Sequence, residues 1–250
     1  MTTTSANADD SHTGALAVGG PFMCALYAAA HRPDTLANVI ASQPDLVLLD
    51  LEDAVPLELK NTARKLLPQW SIELGHAGIP FVLRVNPVDS TDFGYDVVAT
   101  AVLLGGSMSG PRGVLIPKVM SQRDVVTAEH AIPGVPIWVM IETPVAVSLA
   151  SADRFDRVSV AGMVIGMGDL AKHQRISLAE AELDADFLRQ RSGVAAAATR
   201  AKQHCLDGVV VGDASAALEA GRRSCALGFT GRSVYAPQHV QPCRDGGRTG

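Results

Sequence analysis

Eight short apolar runs, each followed by an amphipathic stretch, predict a single (β/α)8 TIM barrel. Two further observations point the same way. The chain has 250 residues, the usual size of one such barrel. Six of the runs also lead into a charged or strongly polar side chain, in the order Arg32, Asp50/Glu52/Asp53, Arg84/Asn86, Lys118, Glu142 and Asp169. Strands that end this way one after another place their polar groups around one shared mouth. A doubly wound open sheet is the competing architecture. It lacks support, because GMGDL follows a strand without the spacing of a GxGxxG fingerprint.

The elements follow in order. Met23–Ala30 is the first strand, and a helix near Pro33–Ser42 has Pro33 in its first turn. Asp45–Asp50 is the second strand, with a helix over Leu57–His76. Pro80–Val85 is the third, with a helix over Asp92–Leu104 and a loop at GGSMSGPRG. Gly113–Pro117 and Arg123–Ala131 form the fourth unit. Pro136–Ile141 and Pro144–Ala152 form the fifth. Gly162–Gly166 is the sixth strand, and His173–Asp184 reads as a lid or a loop with a short helix. An alanine-rich helix spans Phe187–Cys205. Gly208–Val211 is the seventh strand, Ala214–Leu227 a helix, and Phe229–Tyr235 the eighth strand. Residues 1–19 read as a disordered polar tail, 20–241 as the barrel, and 242–250 as a flexible tail rich in glycine.

Composition excludes several function classes. A net charge of −5 and 4% aromatic residues argue against nucleic-acid binding. No apolar run is long enough to span a bilayer, and the N-terminus lacks the basic and apolar regions of a secretory signal. A cytoplasmic protein is expected. Cys24, Cys205, Cys225 and Cys243 form no CxxC pair and read as reduced structural thiols, Cys24 in a strand, Cys205 and Cys225 in helices.

Glu142 and Asp169 end adjacent strand units, and two carboxylates at a barrel mouth suit a hard cation such as Mg2+. The competing reading makes Asp169 a helix cap and Glu142 a salt-bridge partner. Arg32 and Arg84 suit an anionic substrate such as a keto acid, or else pair with Asp50, Glu52 or Asp53. Three carboxylates within Asp50–Asp53 need cations nearby, and Lys60, Arg64 and Lys118 are the expected partners. Lys118 is an ion-paired lysine or a Schiff-base nucleophile. Among the histidines, His31 is the best-placed base; His76, His130, His173, His204 and His239 read as surface or loop residues.

The ordered series ALYAAAHRPDTLANV, DLVLLDLEDAVPLELKNTAR, VLRVNP, VLIPKV, VMIETPVAV, VIGMGDLA and DGVVVGDASAALEAGRRSCALGFTGRSVYAPQHV resembles the citrate lyase beta-subunit family, within the citrate-lyase-like and HpcH/HpaI-type aldolases. The resemblance runs from about residue 24 to 240. It implies a (β/α)8 barrel, a Mg2+ site and carbon–carbon lyase chemistry on citryl-, citramalyl- or malyl-CoA-like thioesters. By position, it implies Glu142 and Asp169 as metal ligands and Arg32 and Arg84 as catalytic, substrate-contacting arginines. Glu52 and Asp53 join them in binding substrate, with Asp50, Lys60 and Lys118 behind them as support. A homotrimer or hexamer is implied too.

The departures are specific. AAAHRP lacks the family's Pro-Gly, Ala236-Pro237-Gln238 stands in place of His-Pro-x-Gln, and Gly168 replaces a frequent acid. The C-terminal lid domain of longer malyl-CoA lyases, with its catalytic aspartate, is expected to be absent. Three functions therefore stay open. The first is a Mg2+-dependent lyase acting on a carboxylated 3-hydroxyacyl thioester. The second is an aldolase-like or cyclising enzyme on a free keto acid, or a thioester hydrolase. The third is a non-catalytic paralogue that binds or scaffolds.

Overall fold

The computed structural model describes residues 16, 18–106, 110–157 and 160–249. Eight parallel strands close into one barrel in sequence order: β1 Met23–Ala29, β2 Leu46–Asp50, β3 Phe81–Arg84, β4 Val114–Ile116, β5 Ile137–Ile141, β6 Val160–Ile165, β7 His204–Asp207 and β8 Gly231–Val234. The helices are α1 Leu36–Ala41, α2 Lys60–His76, α3 Thr91–Gly105, α4 Gln122–Ala131, α5 Pro144–Ser151, α6 Met167–Gln174, α7 Leu178–Ala181, α8 Ala185–Arg200, α9 Ala214–Ala226 and α10 Val240–Arg248. Side-chain oxygens start several of them. Thr143, Asp184 and Asp213 accept hydrogen bonds from the amides of Ala146, Phe187 and Ala216, which satisfies donors that the first helical turn leaves open. Among the described residues no helix is long and apolar enough to cross a membrane.

Strand alternation divides the core in two. One set of side chains fills the barrel: Ala25, Leu46, Leu48, Val82, Leu115, Trp138, Met140, Val164 and Leu206, with Tyr27 at its edge. The other set, including Leu26, Leu49, Leu83, Val139 and Ile165, packs outward against the helices. Register then carries the polar strand ends to one rim. Ala29 lies beside Asp50, Asp50 beside Arg84, and Ile141 beside Ile165, so Glu142 and Gly166 emerge together.

Several expectations need correction. The seventh strand is His204–Asp207, not Gly208–Val211, and α8 ends at Arg200. Cys205 is thus a strand residue. The polar ends of this strand hid it, but both find partners in the core, although among the described residues His204 Nδ1 is left without one. His204 stacks on Trp138 at 5.4 Å between centroids, and its Nε2 lies 3.2 Å from the Leu16 carbonyl, so it is no surface residue. Asp207 takes Arg191 Nε at 2.9 Å, Ser224 Oγ at 2.7 Å and Arg232 Nη1 at 3.2 Å.

Of the C-terminal segment expected to be flexible over 242–250, residue 250 lies outside the described residues and the rest is not a loose tail. Val240–Arg248 is a helix against α9, and Arg244 pairs with Asp45 at 2.9 Å. The glycines that suggested a loop allow close helix contact, since a Cβ on Gly246 would fall on the Leu218 carbonyl. Gly246→Ala should therefore cost about 1–3 kcal/mol, read as a lower urea midpoint at unchanged slope.

His173–Asp184 resolves into the end of α6 and the short α7, with Glu182 gripping Arg232 Nη2 at 2.7 Å. Arg64 does not serve the Asp50–Asp53 carboxylates. It pairs with Asp92 and Asp96 at 2.6 and 2.7 Å. Of the tail expected over 1–19, residues 1–15 and 17 lie outside the described residues, as do 107–109 of the expected loop.

Candidate functional site

The strand ends converge on a cavity of about 320 Å3 whose wall includes Tyr27, Asp53, Arg84, Glu142, Asp169 and Tyr235. A wider, more open cavity of about 830 Å3 shares Asp53, Glu142, Asp169 and Lys172 with it and adds Lys118. Tyr27, Asp53, Arg84, Glu142, Asp169 and Tyr235 come from six different strands or the segments that follow them. A sequence scattered over two hundred residues thus produces one polar basin over an apolar barrel floor.

Arg84 is the buried cation of the basin. Its Nε donates to Asp50 Oδ1 at 2.7 Å and its Nη2 to Asp50 Oδ2, a two-point grip that fixes the guanidinium plane. Nη1 lies 3.2 Å from Glu52 Oε2. Asp50 also accepts the amides of Glu52 and Ala54 at 2.7 and 3.1 Å, so it holds both the arginine and the turn after β2.

Lys118 neutralises the other carboxylates, with Nζ on Glu52 Oε1 and 3.0 Å from Asp53 Oδ1. Burial lowers its pKa, but these carboxylates more than reverse that and hold the amine above its ordinary value, charged and unsuited to Schiff-base attack. Burial lifts Glu52 despite Arg84 and Lys118. Burial also lifts Asp53, but the hydrogen bond from Lys118 and the positive charges of Lys118 and Arg84 help bring it below its ordinary value. Among the described residues Lys60 binds no carboxylate. Its Nζ donates to the carbonyls of Leu51 and Glu52, both at 2.7 Å, and to Asn86 Oδ1 at 2.8 Å, pinning the DLEDAV turn from beneath.

Glu142 and Asp169 face the same cavities, as the strand order required. Glu142 is only 2% exposed, and its Oε1 accepts the Lys118 amide at 2.5 Å. That amide points inward because Lys118 adopts a left-handed backbone, φ 54°. Gly166 lies against Glu142: a Cβ there would fall on the glutamate Cβ and 3.0 Å from its Oε2. Burial raises Glu142 to about 7, and the negative charges of Glu52 and Asp169 add to this against the Lys118 amide and Arg84. Asp169, in the first turn of α6, pairs with Lys172 at 2.6 Å.

Arg32 does not join them. β1 ends at Ala29, three residues earlier than its role required, so Arg32 lies in an exposed turn. Its side chain is 54% exposed and donates to Asp34 at 2.9 and 2.7 Å. It borders neither cavity. His31, the expected base, borders neither cavity as well. Sequence reasoning missed Tyr27 and Tyr235. The signal for Tyr27 was the alternation Met23, Ala25, Tyr27 along one strand, which places it on the interior face.

Among the described residues no three His, Cys, Asp or Glu side chains form a ready-made metal cage. The donor set at Glu142 and Asp169 nevertheless fits a small hard divalent cation, which commonly takes one or two carboxylates and completes its shell with water and substrate oxygens. A glutamate lifted by burial, with the negative charges of Glu52 and Asp169 adding to it, marks a charge that such a cation would relieve.

A family model described as HpcH/HpaI aldolase/citrate lyase matches residues 23–237. The chain belongs to the HpcH/HpaI aldolase/citrate lyase family. Within it, a (3S)-malyl-CoA thioesterase from Cereibacter sphaeroides is 31% identical over 228 residues, covering 88% of this chain and 75% of that protein. The citrate lyase subunit beta of Haemophilus influenzae is 26% identical, covering 86% and 76%. A solved CitE from Mycobacterium tuberculosis, in complex with magnesium and pyruvate, superposes with a TM-score of 0.70 at 26% identity, covering 90% of each chain. The family is thus enzymatic, and the barrel is the family fold.

Proposed function

We propose that this protein is a Mg2+-dependent carbon–carbon lyase that cleaves, or forms, a short carboxylated 3-hydroxyacyl thioester. The observation that carries the reading is the pairing of Glu142 and Asp169 on one cavity wall with the fixed guanidinium of Arg84. Support also comes from relatives whose names include a malyl-CoA thioesterase and citrate lyase beta subunits, and from the CitE complex with magnesium and pyruvate.

Glu142 and Asp169 would hold the ion, which when bound withdraws electron density from the oxygens of a keto acid. Arg84 supplies a second, permanent positive charge, held in place by Asp50 so that no reorganisation is needed as negative charge develops. Lys118 masks Glu52 and Asp53, so the carboxylate cluster does not repel an anionic substrate. Met140, Ile165 and Val209 give the cavity an apolar side that limits water and strengthens these charges. Gly166 keeps room for Glu142 beside β6. Gly166→Ala should weaken Mg2+ binding about 10–100-fold, measured by calorimetry, by displacing the ligand rather than removing it.

The test is incubation with malyl-, citramalyl- and citryl-CoA and Mg2+, with all products identified. A keto or aldehyde acid with a shortened CoA thioester supports the lyase. No turnover of any of the three contradicts it. Release of free CoA with the intact hydroxy acid would establish hydrolysis instead, a reading favoured by the thioesterase relative. Binding of pyruvate or oxaloacetate without affinity for CoA would favour chemistry on a free keto acid.

A further inference from the structure

We propose that the Tyr27 hydroxyl is the catalytic acid of this site, delivering the proton to the enolate carbon after the carbon–carbon bond breaks. The inference rests on the lyase reading above and assigns a proton donor that the metal pair and Arg84 do not provide.

The argument is one of elimination among the groups that face the inner cavity. Arg84 is spent on Asp50 and Glu52, and a guanidinium does not give up its proton in proteins. Asp53, the remaining carboxylate of this cavity, is pushed up by burial but held below its ordinary value by Lys118, so it has no proton to give. Lys118, which borders only the outer cavity, is tied to it and to Glu52. Lys172, 80% exposed, is tied to Asp169. Glu142 and Asp169 are the candidate metal ligands. His173 borders only the wider, outer cavity, and among the described residues no histidine borders the inner one. Two phenols remain, Tyr27 and Tyr235.

Neither hydroxyl has a hydrogen-bond partner among the described residues, and neither is a buried orphan, so both open into the cavity. Their environments differ. Tyr235 is 60% exposed at the rim. Tyr27 stands on the barrel's inner face, one strand position below the mouth and beside Leu48 of β2. Arg84 Cζ sits 5.4 Å from its ring centroid, and the Tyr235 ring lies 5.0 Å away at 40°. These contacts hold the ring from two sides and leave its oxygen free. A phenol is fully protonated at neutral pH, and burial makes it hold that proton more firmly, so the group enters the reaction as a donor. Transfer from it is still downhill, because an enolate carbon is a much stronger base than a phenolate.

The step balances as follows. The substrate hydroxyl loses its proton to solvent, the carbon–carbon bond breaks, and its electron pair moves onto the thioester as an enolate. The Tyr27 O–H proton passes to the enolate carbon while the O–H pair stays on the phenolate oxygen. Arg84, beside the ring, stabilises that oxygen's charge until water returns a proton to it.

The test compares wild type with Tyr27→Phe, which keeps the ring on Arg84 and beside Tyr235. Three readouts are taken: cleavage of the best of the three CoA thioesters, exchange of the product thioester's α-hydrogens in D2O, and calorimetric binding of pyruvate with Mg2+. The variant should lose about 100-fold or more in kcat, with KM changed less than about threefold. Exchange should fall by a similar factor, and pyruvate binding should stay at the wild-type value. Wild-type turnover and exchange in the variant would overturn the assignment while leaving the lyase reading intact. Loss of pyruvate binding together with turnover would also overturn it, by placing the hydroxyl in ground-state binding. A wild-type protein inert on all three thioesters would overturn the lyase reading and this inference with it.

Discussion

Glu142→Gln is expected to abolish measurable Mg2+ binding and nearly all turnover while making the metal-free protein more stable. Changes that merely disturb a metal ligand cost about 10–100-fold in affinity, so removing one of two carboxylates should exceed about 100-fold. Losing several kcal/mol of charge stabilisation corresponds to a rate loss on the order of 1000-fold. The gain in stability has a separate cause. Glu142 is 2% exposed among Glu52 and Asp169, and its pKa is raised from 4.5 to about 7. A raised carboxylate holds its proton more tightly in the folded state. Its stability contribution is therefore full below pH 4.5 and lost as pH rises through about 7. The loss is on the order of 3 kcal/mol at alkaline pH. Glutamine keeps the shape without the charge, so the metal-free variant should lose that fall across pH 4.5 to 7 in denaturation midpoints. Added Mg2+ should stabilise wild type and leave the variant unchanged.

The second large effect lies between the barrel strands and the surrounding helices. Asp207→Asn is expected to destabilise the protein by about 3–5 kcal/mol, seen in urea unfolding, because it leaves the buried guanidiniums of Arg191 and Arg232 without their central anion. Burial pushes the Asp207 pKa up, but Arg232 and Arg191 outweigh it and bring it below the ordinary 3.8. Its contribution is thus present above pH 3.8 and disappears as acidification passes through the lower folded value. Glu182 still reaches Arg232 at 2.7 Å, which limits the damage. Activity per folded molecule should persist, since this cluster faces the helices and not the mouth.

The barrel was legible because its strands are short, apolar and followed by amphipathic helices, a pattern fixed by burial on both faces. β7 was misplaced because His204 and Asp207 look polar in sequence. Only tertiary partners, Trp138 for one and two arginines for the other, make them core residues. The α10 helix was hidden because glycine reads as flexible until a neighbouring helix demands its small size. The convergence of Arg84, Glu142 and Asp169 on one cavity was legible from strand ends alone, and their roles there are what we propose. Arg32 lies three residues past the end of β1, turned to solvent and Asp34, a displacement that counting strand ends does not register. Tyr27 carried no charge to mark it, only its parity along the strand.

A crystal structure with Mg2+ and pyruvate bears most directly on the central claim. The account predicts an ion about 2.1 Å from a carboxylate oxygen of both Glu142 and Asp169, with the keto acid completing its shell on the Arg84 side. An ion seated elsewhere, or pyruvate bound while Asp169 keeps Lys172 and Glu142 stays protonated, would contradict it.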